Sequence, residues 1–546
     1  SEKLVSAYLA ATSGDPEPIE ICTKWCPEPG PMPFGVVQRA VDERLDCLFP
    51  ASMSAADRCI DVLHFHWWDW SDTRYADALC HLATLQQQGK IANIALTNFD
   101  AAHVRIVVAS GLQILWNQVH CSLLDLARPA GAMYETCQDL APLQPFGQKV
   151  GLIVYGTLAG GFLTDRWLGQ PEPDLAGAGA ADGLTWMQSK YKRFIDAWGD
   201  WALFQVLLRT LRAVANRMND DYYENGDGNV TVANVALRYV LEQPFVDCVI
   251  VGARLGEREH IEDNQRVFSF QLSAQDKAEI RAVLAQGTAI PGDCGDEYRK
   301  PPFLTASGDL SHHLSLAQDQ KSTLFAVSAA PNGKARQWLC SSGTTWEKKA
   351  GYCRARRVGD AIYVSGTTAT HGSISIGCGP RAPEEEEKDD VEGEDGGGND
   401  EDDEDESAEF SAGEEEEEGE GGGGLFSGEH DDDVEDETGG EGGNPSQPEW
   451  LEQINAEAQM DFIVDKITGA LRSLGGSLED VVRTRVYVEK ESLVAVVARA
   501  HGRAFRGILP ANTLVVAGVV GDGLLVEMEA EARLSPEAAA RPPPGF

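Results

Sequence analysis

Between Ile19 and Ala253 the chain repeats one pattern, a short apolar run followed by a longer segment of helical period. The runs are Ile19 to Trp25, Asp61 to Trp67, Ile91 to Asn98, Ile114 to Cys121, Gly151 to Thr157 and Val246 to Ala253. Near-continuous apolar runs of this length read as strands covered on both faces. The segments between them read as helices. Asp72 to Gln88 stops at Gly89, which tolerates the left-handed turn that ends a helix, and Val230 to Gln243 has helical apolar spacing. Repeated strand–helix units predict a parallel α/β sheet, either doubly wound or closed into a barrel.

From about Gln286 the periodicity fades into Pro, Gly, Ser and Asp, and residues 286–335 read as an interdomain linker. A second domain of α+β order follows. Its expected strands are Tyr352 to Val358, Ala361 to Ser365, Val481 to Glu489, Thr513 to Val516 and Leu524 to Ala532. Its expected helices are Ala456 to Leu474, with Met460, Ile463, Val464, Ile467, Leu471 and Leu474 on one face, and Glu491 to Arg506. Residues 535–546 form a tail. An acidic, Gly-rich block at about 379–455 interrupts this domain. Like-charge repulsion and the scarcity of apolar side chains leave nothing to offset the entropy of ordering, so the block is expected to be a disordered insertion. It reads as a solvating loop, with docking of a basic partner as the alternative.

With 546 residues the chain exceeds one core, and its net charge is −42. The acidic block accounts for roughly thirty of those charges and leaves about −12 elsewhere. That balance argues against a nucleic acid or an anionic membrane as partner. No apolar stretch approaches the roughly 20 residues that cross a bilayer, and no basic-then-apolar leader opens the chain. The 12 cysteines are scattered, which fits reduced thiols in a cytoplasmic protein. Cys22 and Cys26 lack a second ligand pair nearby, so no metal site is expected.

Several short motifs then fall at strand ends. Lys24 ends Glu20-Ile-Cys-Thr-Lys, and His66 lies near the end of Asp61-Val-Leu-His-Phe-His-Trp. Thr97-Asn98 ends the run from Lys90, Gln118 lies in Trp116-Asn-Gln-Val, and Tyr155 opens Tyr155-Gly-Thr-Leu. Over about residues 1–285 this order resembles the aldo-keto reductase family. The resemblance implies a (β/α)8 TIM barrel carrying NADPH across the carboxyl ends of its strands, where barrel chemistry sits. It also implies a small carbonyl compound as substrate.

In that family a Tyr donates the proton, a Lys lowers its pKa, an Asp holds the Lys, and a His orients the substrate oxygen. By this resemblance Lys24 is the Lys and His66 the His; the alternatives are a surface lysine and a structural histidine among tryptophans, and His64 is the second candidate for the catalytic imidazole. Thr97, Asn98 and Gln118 match the residues that bond the nicotinamide carboxamide, Tyr155 the ring that stacks on it, Arg254 the partner of the 2′-phosphate, and Asn264 the adenine contact. A guanidinium pairs with phosphate in bidentate fashion, which favours NADPH over NADH. The family's Asp and Tyr lie just upstream of a Ser-Glu pair, and this chain begins at Ser1-Glu2. The first barrel strands and the proton donor are therefore expected to be missing, either because the chain is a fragment or because the barrel is degenerate, and weak or no reductase activity follows. Tyr8 falls in the expected next helix and is not assigned the role.

The second half carries Gly351-Tyr-Cys-Arg-Ala-Arg-Arg-Val, Ser477-Leu-Glu-Asp-Val-Val-Arg-Thr-Arg-Val, Pro510-Ala-Asn-Thr and Val526-Glu-Met-Glu-Ala. Over about residues 336–534, leaving out the acidic insertion, these resemble the Rid (YjgF-like) family. The resemblance implies a chorismate-mutase-like α+β fold and a homotrimer with clefts between subunits, in which some members hydrolyse reactive imines. Tyr352 and Glu527 match the residues that place the attacking water. Asn512 stands where the family's carboxylate-gripping Arg would be, and a neutral amide cannot make that charge-assisted pair. Arg354 or Arg356 could reach the cleft from its other wall, although strand alternation puts both on one face, directed outward. An NADPH-dependent reductase fused to a Rid-like module is the leading reading. A vestigial barrel carrying a Rid-type ligand-binding trimer is the alternative, and an acidic scaffold ranks third.

Overall fold

A computed structural model describes residues 2–11, 19–174, 184–222, 229–252, 260–299, 325–331, 336–371, 374–376, 448–544 and 546. Arg254, residues 300–324 of the expected linker and the acidic block as far as Gln447 lie outside these. One compact unit holds residues 1–382 together with 448–546.

Among the described residues of the first half, six strands lie in chain order: β1 (Cys22–Trp25), β2 (Ile60–His66), β3 (Ile91–Thr97), β4 (Trp116–His120), β5 (Gly151–Tyr155) and β6 (Cys248–Val249). Each pairs in parallel with the next. A doubly wound sheet reverses its order part-way, so this succession is that of a barrel wall. Curvature agrees. On a flat sheet β1 and β4 would lie roughly 14 Å apart, yet the Lys24 ammonium donates to Gln118 Oε1. The helix Tyr75–Gln87 covers the sheet with Tyr75, Ala78, Leu79, Leu82 and Leu85, a helical stripe. The helix Ala101–Ala109 starts where Asp100 accepts a hydrogen bond from the His103 backbone at 3.0 Å.

The second half is a seven-stranded sheet in the order β14-β13-β15-β10-β9-β8-β7. Its strands are β7 (Ala326–Ala329), β8 (Gln337–Ser341), β9 (Ala355–Val358), β10 (Ala361–Thr368), β13 (Val481–Val488), β14 (Ala511–Val516) and β15 (Val526–Arg533). A small hairpin pairs β11 (Thr370–His371) with β12 (Ile374–Ser375). The expected linker needs correction at both described ends. Ala326–Ala329 pairs antiparallel with β8 and extends this sheet, while Asp296–Arg299 forms a helical turn buried in the first half. The long helix runs Glu449–Ser473, so helical structure already begins inside the last residues of the expected insertion.

That helix is buried on two sides. Met460, Ile463, Ile467 and Leu471 belong to the apolar core, and on its barrel-facing side it meets the helices Tyr75–Gln87 and Ala101–Ala109. The Tyr75 hydroxyl donates to Asp465 Oδ2 at 3.1 Å, Arg105 Nη1 donates to Asp461 Oδ2 at 3.0 Å, and the Tyr75 and Phe462 rings meet edge to face at 6.2 Å. One hydrophobic cluster runs through both halves, and a second lies within the first half.

Candidate functional site

The carboxyl ends of β1 to β5 converge. The Lys24 ammonium bonds Gln118 Oε1, which also accepts from Thr97 Oγ1 at 3.4 Å. His66 pairs in register with Thr97, and its Nε2 lies 3.4 Å from Asn98 Nδ2. Asn98 Oδ1 accepts from the Tyr155 hydroxyl at 2.9 Å. Lys24, His66, Thr97, Asn98, Gln118 and Tyr155 are thus brought together, and all but Lys24 and Tyr155 are buried. Asn98 has φ of +57°, a conformation that asparagine tolerates better than most residues and that turns the chain off the end of β3. His64, two residues before His66 on the same strand, stacks its ring 6.5 Å from Trp116, and its Nδ1 lies 3.4 Å from the Leu96 carbonyl. Burial, with the charge on Lys24 adding, lowers its pKa to about 4. Asn264 lies in the short helix Ile261–Gln265, and Tyr8 is half exposed on the helix Glu2–Ala11.

Three further groups enter this site from elements that no strand-end motif announces. Tyr298, from the segment after the barrel, places its hydroxyl 3.1 Å from that of Tyr155 and its ring edge-on to His66 at 5.9 Å. Lys190, from the helix Trp186–Trp198, donates to the Tyr298 hydroxyl at 2.9 Å and lies 4.4 Å from that ring's centre. Glu297 accepts from Arg128 Nη1 at 2.7 Å, and Arg128 also pairs with Asp125, which bonds His120 Nδ1 at 2.9 Å. Burial pushes the Glu297 carboxyl up, but Arg128 and Lys190 outweigh it and hold it below its ordinary range. Burial holds the Tyr155 phenol well above the usual range, and Tyr298 and Glu297 add to the effect.

A family model described as "Aldo/keto reductase family" matches residues 1–285. The chain belongs to the aldo/keto reductase family. A second model, "Endoribonuclease L-PSP", matches residues 438–534, within the Rid-like half of this chain. Among solved structures the chain is similar to the aldo-keto reductase AKR11C1 from Bacillus halodurans in its holo form, at 18% identity over 55% of this chain and 80% of that one, TM-score 0.35. It is also similar to Rv2704 of the YjgF/YER057c/UK114 family from Mycobacterium tuberculosis, at 23% identity over 36% of this chain and 99% of that one, TM-score 0.21. No curated protein matches.

In the Rid-like half a second polar patch forms where β10 bulges between Val364 and Thr367. Glu527 lies against Gly366 so closely that a Cβ there would stand 1.9 Å from its Oε1. Burial raises the Glu527 pKa, Arg354 opposes that, and Glu529 adds to it. The expectation that Arg354 and Arg356 share an outward face is corrected. The strand begins only at Ala355, so alternation does not govern residue 354. Arg354 is buried, with Nη1 on the Gly366 carbonyl at 2.7 Å and Thr367 Oγ1 at 3.0 Å, and Nη2 3.4 Å from the Tyr352 hydroxyl. Arg356 is exposed and bonds Gln337. Asn512 is not part of this patch. It pairs in register with Thr484, itself opposite Ala530, and its Nδ2 donates to Thr484 Oγ1 at 2.9 Å.

Proposed function

We propose that the barrel half binds NADPH across its strand ends and reduces the carbonyl group of an aldehyde or ketone. The observation that carries this reading is the junction of two side-chain sets, Lys24–Gln118–Thr97 and His66–Asn98–Tyr155, which meet where the Asn98 backbone N–H donates to the Gln118 carbonyl at 2.9 Å. The donor set fits a carboxamide, because Asn98 Nδ2 donates and Gln118 Oε1 accepts, the two complements a primary amide needs. At present those atoms bond His66 and Lys24. When bound, the cofactor would supply the hydride. His66 would hold the carbonyl oxygen by a ring N–H, the Lys24 ammonium would stabilise negative charge developing there, and water would supply the proton that completes the alcohol. The Tyr155 ring would bound the nicotinamide face. Arg254 and Asn264 are the proposed contacts to the 2′-phosphate and the adenine. No helix among the described residues is long and apolar enough to cross a membrane, and the scattered cysteines support a cytoplasmic location.

Titrating the full chain with NADPH while following tryptophan fluorescence tests the reading. Saturable quenching, weakened about tenfold or more by Asn98→Ala, is the expected result. No quenching by the unaltered chain would sink it.

For the second half we infer a Rid-like small-molecule cleft around Tyr352 and Glu527, in a homotrimer. Exposed Val482, Val515 and Val516 on neighbouring β13 and β14 support the association. Light scattering that returns the mass of one chain at micromolar concentration would refute the trimer.

A further inference from the structure

The segment Asp293–Arg299, which follows the barrel in sequence, is seated on the strand ends and tied to the second half of the chain. Its contacts to the site are close. Arg299 Nη2 donates to the Asn98 carbonyl at 2.7 Å and to the Cys294 carbonyl at 2.9 Å. Gly295, at φ +80°, leaves no room for a Cβ, which would stand 2.2 Å from the Asn98 carbonyl oxygen. Tyr298 meets Tyr155 and His66, as above. Asp293 Oδ2 accepts from the Ala101 backbone at 3.1 Å.

From Arg299 the contacts continue away from the site. Its guanidinium lies 3.7 Å from Asp100 Oδ2 and 4.5 Å from the centre of the Trp70 ring. Asp100 Oδ1 bonds His103 Nδ1 at 2.5 Å, and the His103 ring stacks on Trp70 at 3.6 Å. His103 Nε2 lies 3.0 Å from Oδ2 of Asp465, on the long helix of the Rid-like half. Asp100, His103, Arg299 and Asp465 all have side chains no more than 11% exposed. A buried carboxylate that loses its partner is costly, so these groups are held or released together.

We propose that the reductase site is completed by the Rid-like half: Asp465 is a positioning residue that, through His103, Asp100 and Arg299, holds the Asp293–Arg299 segment against Asn98 and Tyr155. The element with two states is that segment, seated or lifted. Taking the charge from Asp465 weakens the hold on one edge of the His103 ring and with it the His103–Asp100 pair that steadies Arg299, while the Asp100 cap on the His103 backbone stays. The functional meaning rests on reading the strand ends as the cofactor site; the seating itself does not.

Cys294 lies in the segment and is 2% exposed, so its alkylation reports lifting without any cofactor. The experiment is iodoacetamide labelling of the full chain, resolved by mass spectrometry at each cysteine. In Asp465→Asn, Cys294 is expected to label about tenfold faster or more, with the buried Cys137 and Cys340 unchanged. Arg472→Ala, which removes an exposed ion pair to Asp69 at the rim of the same interface, is expected to change nothing. An unchanged Cys294 rate in Asp465→Asn overturns the proposal. If all three buried thiols accelerate together, that variant has unfolded and Tyr75→Phe decides. It removes one hydrogen bond to Asp465, and a severalfold acceleration at Cys294 alone supports the proposal while none overturns it. NADPH affinity, measured in parallel, should fall in the variants that lift the segment. Failure of the unaltered chain to bind NADPH counts against the reductase reading and leaves the labelling result standing.

Discussion

His103 is buried between two carboxylates from different halves of the chain, and this makes stability depend on pH in a definite window. Burial alone would lower its pKa, but Asp100 and Asp465 outweigh burial and raise it to about 9 from the usual 6.5. The folded protein therefore binds this proton more tightly than the unfolded chain. The stabilisation is complete below about pH 6.5 and is lost as pH rises through about 9. Two and a half units at 1.36 kcal/mol each give about 3 kcal/mol across that window. Asp465 is itself raised to about 6, by burial against the pull of His103, so its own contribution fades between 3.8 and 6, below the window. Asp100 is held low, with burial outweighed by His103, and acts only in more acidic solution. The perturbation is His103→Gln, which keeps a polar side chain of similar reach and removes the titration. Urea unfolding of both full-length proteins at pH 6.5 and 9.5 gives four midpoints. Thiols and phenols that ionise near pH 9 affect both proteins alike, so the difference between the two slopes isolates His103. The unaltered chain should lose about 3 kcal/mol more than the variant between those pH values. Equal losses would refute the argument, and with it the claim that His103 is charged where the two halves meet.

Two further substitutions probe one half each. Gly366→Ala places a methyl group 1.9 Å from Glu527 Oε1, so either the bulge or the carboxylate must move; a cost of about 1–3 kcal/mol is expected in thermal melts, and an unchanged midpoint would mean that Glu527 swings away freely. Asp125→Asn removes the charge shared by His120 and Arg128 in a fully buried set; about 3–5 kcal/mol should be lost by chemical denaturation, and a loss below about 1 kcal/mol would show that Glu297 alone satisfies Arg128.

The inner strands β2 to β5 could be read from residue order because a strand covered on both faces must be apolar nearly throughout; β1 and β6, expected to be covered in the same way, are largely exposed, and β6 is only Cys248–Val249. His66, Asn98 and Tyr155 stand out for a related reason, since a polar side chain near the end of such a run marks where the strand leaves the core; the roles assigned to them and to Lys24 come from the family resemblance alone. β7 and β8 are not legible in the sequence because Ala326–Ala329 and Gln337–Ser341 are short, and they flank a turn-rich stretch whose composition resembles the linker around it. Arg354 departs from the alternation of its neighbours because it precedes Ala355, the first residue of β9. Tyr298, Arg299 and Lys190 obey no spacing rule at all. They reach the site from a single helical turn and from a helix more than 100 residues away in sequence, and only tertiary packing decides that they meet.

Asp461 and Asp465 make the same point more sharply. On the long helix they lie off the stripe of Met460, Ile463, Ile467 and Leu471, on a face that also carries the buried Phe462, and acids so placed ordinarily turn to water. Here that face is covered by Tyr75, His103 and Arg105, whose polar atoms lie where the two carboxylates need them. Periodicity records which face of a helix is apolar. Whether the other face meets water or a partner of matching charge depends on residues more than 300 positions distant in the chain, and a buried acid gives no local sign of its partner until the fold brings them together.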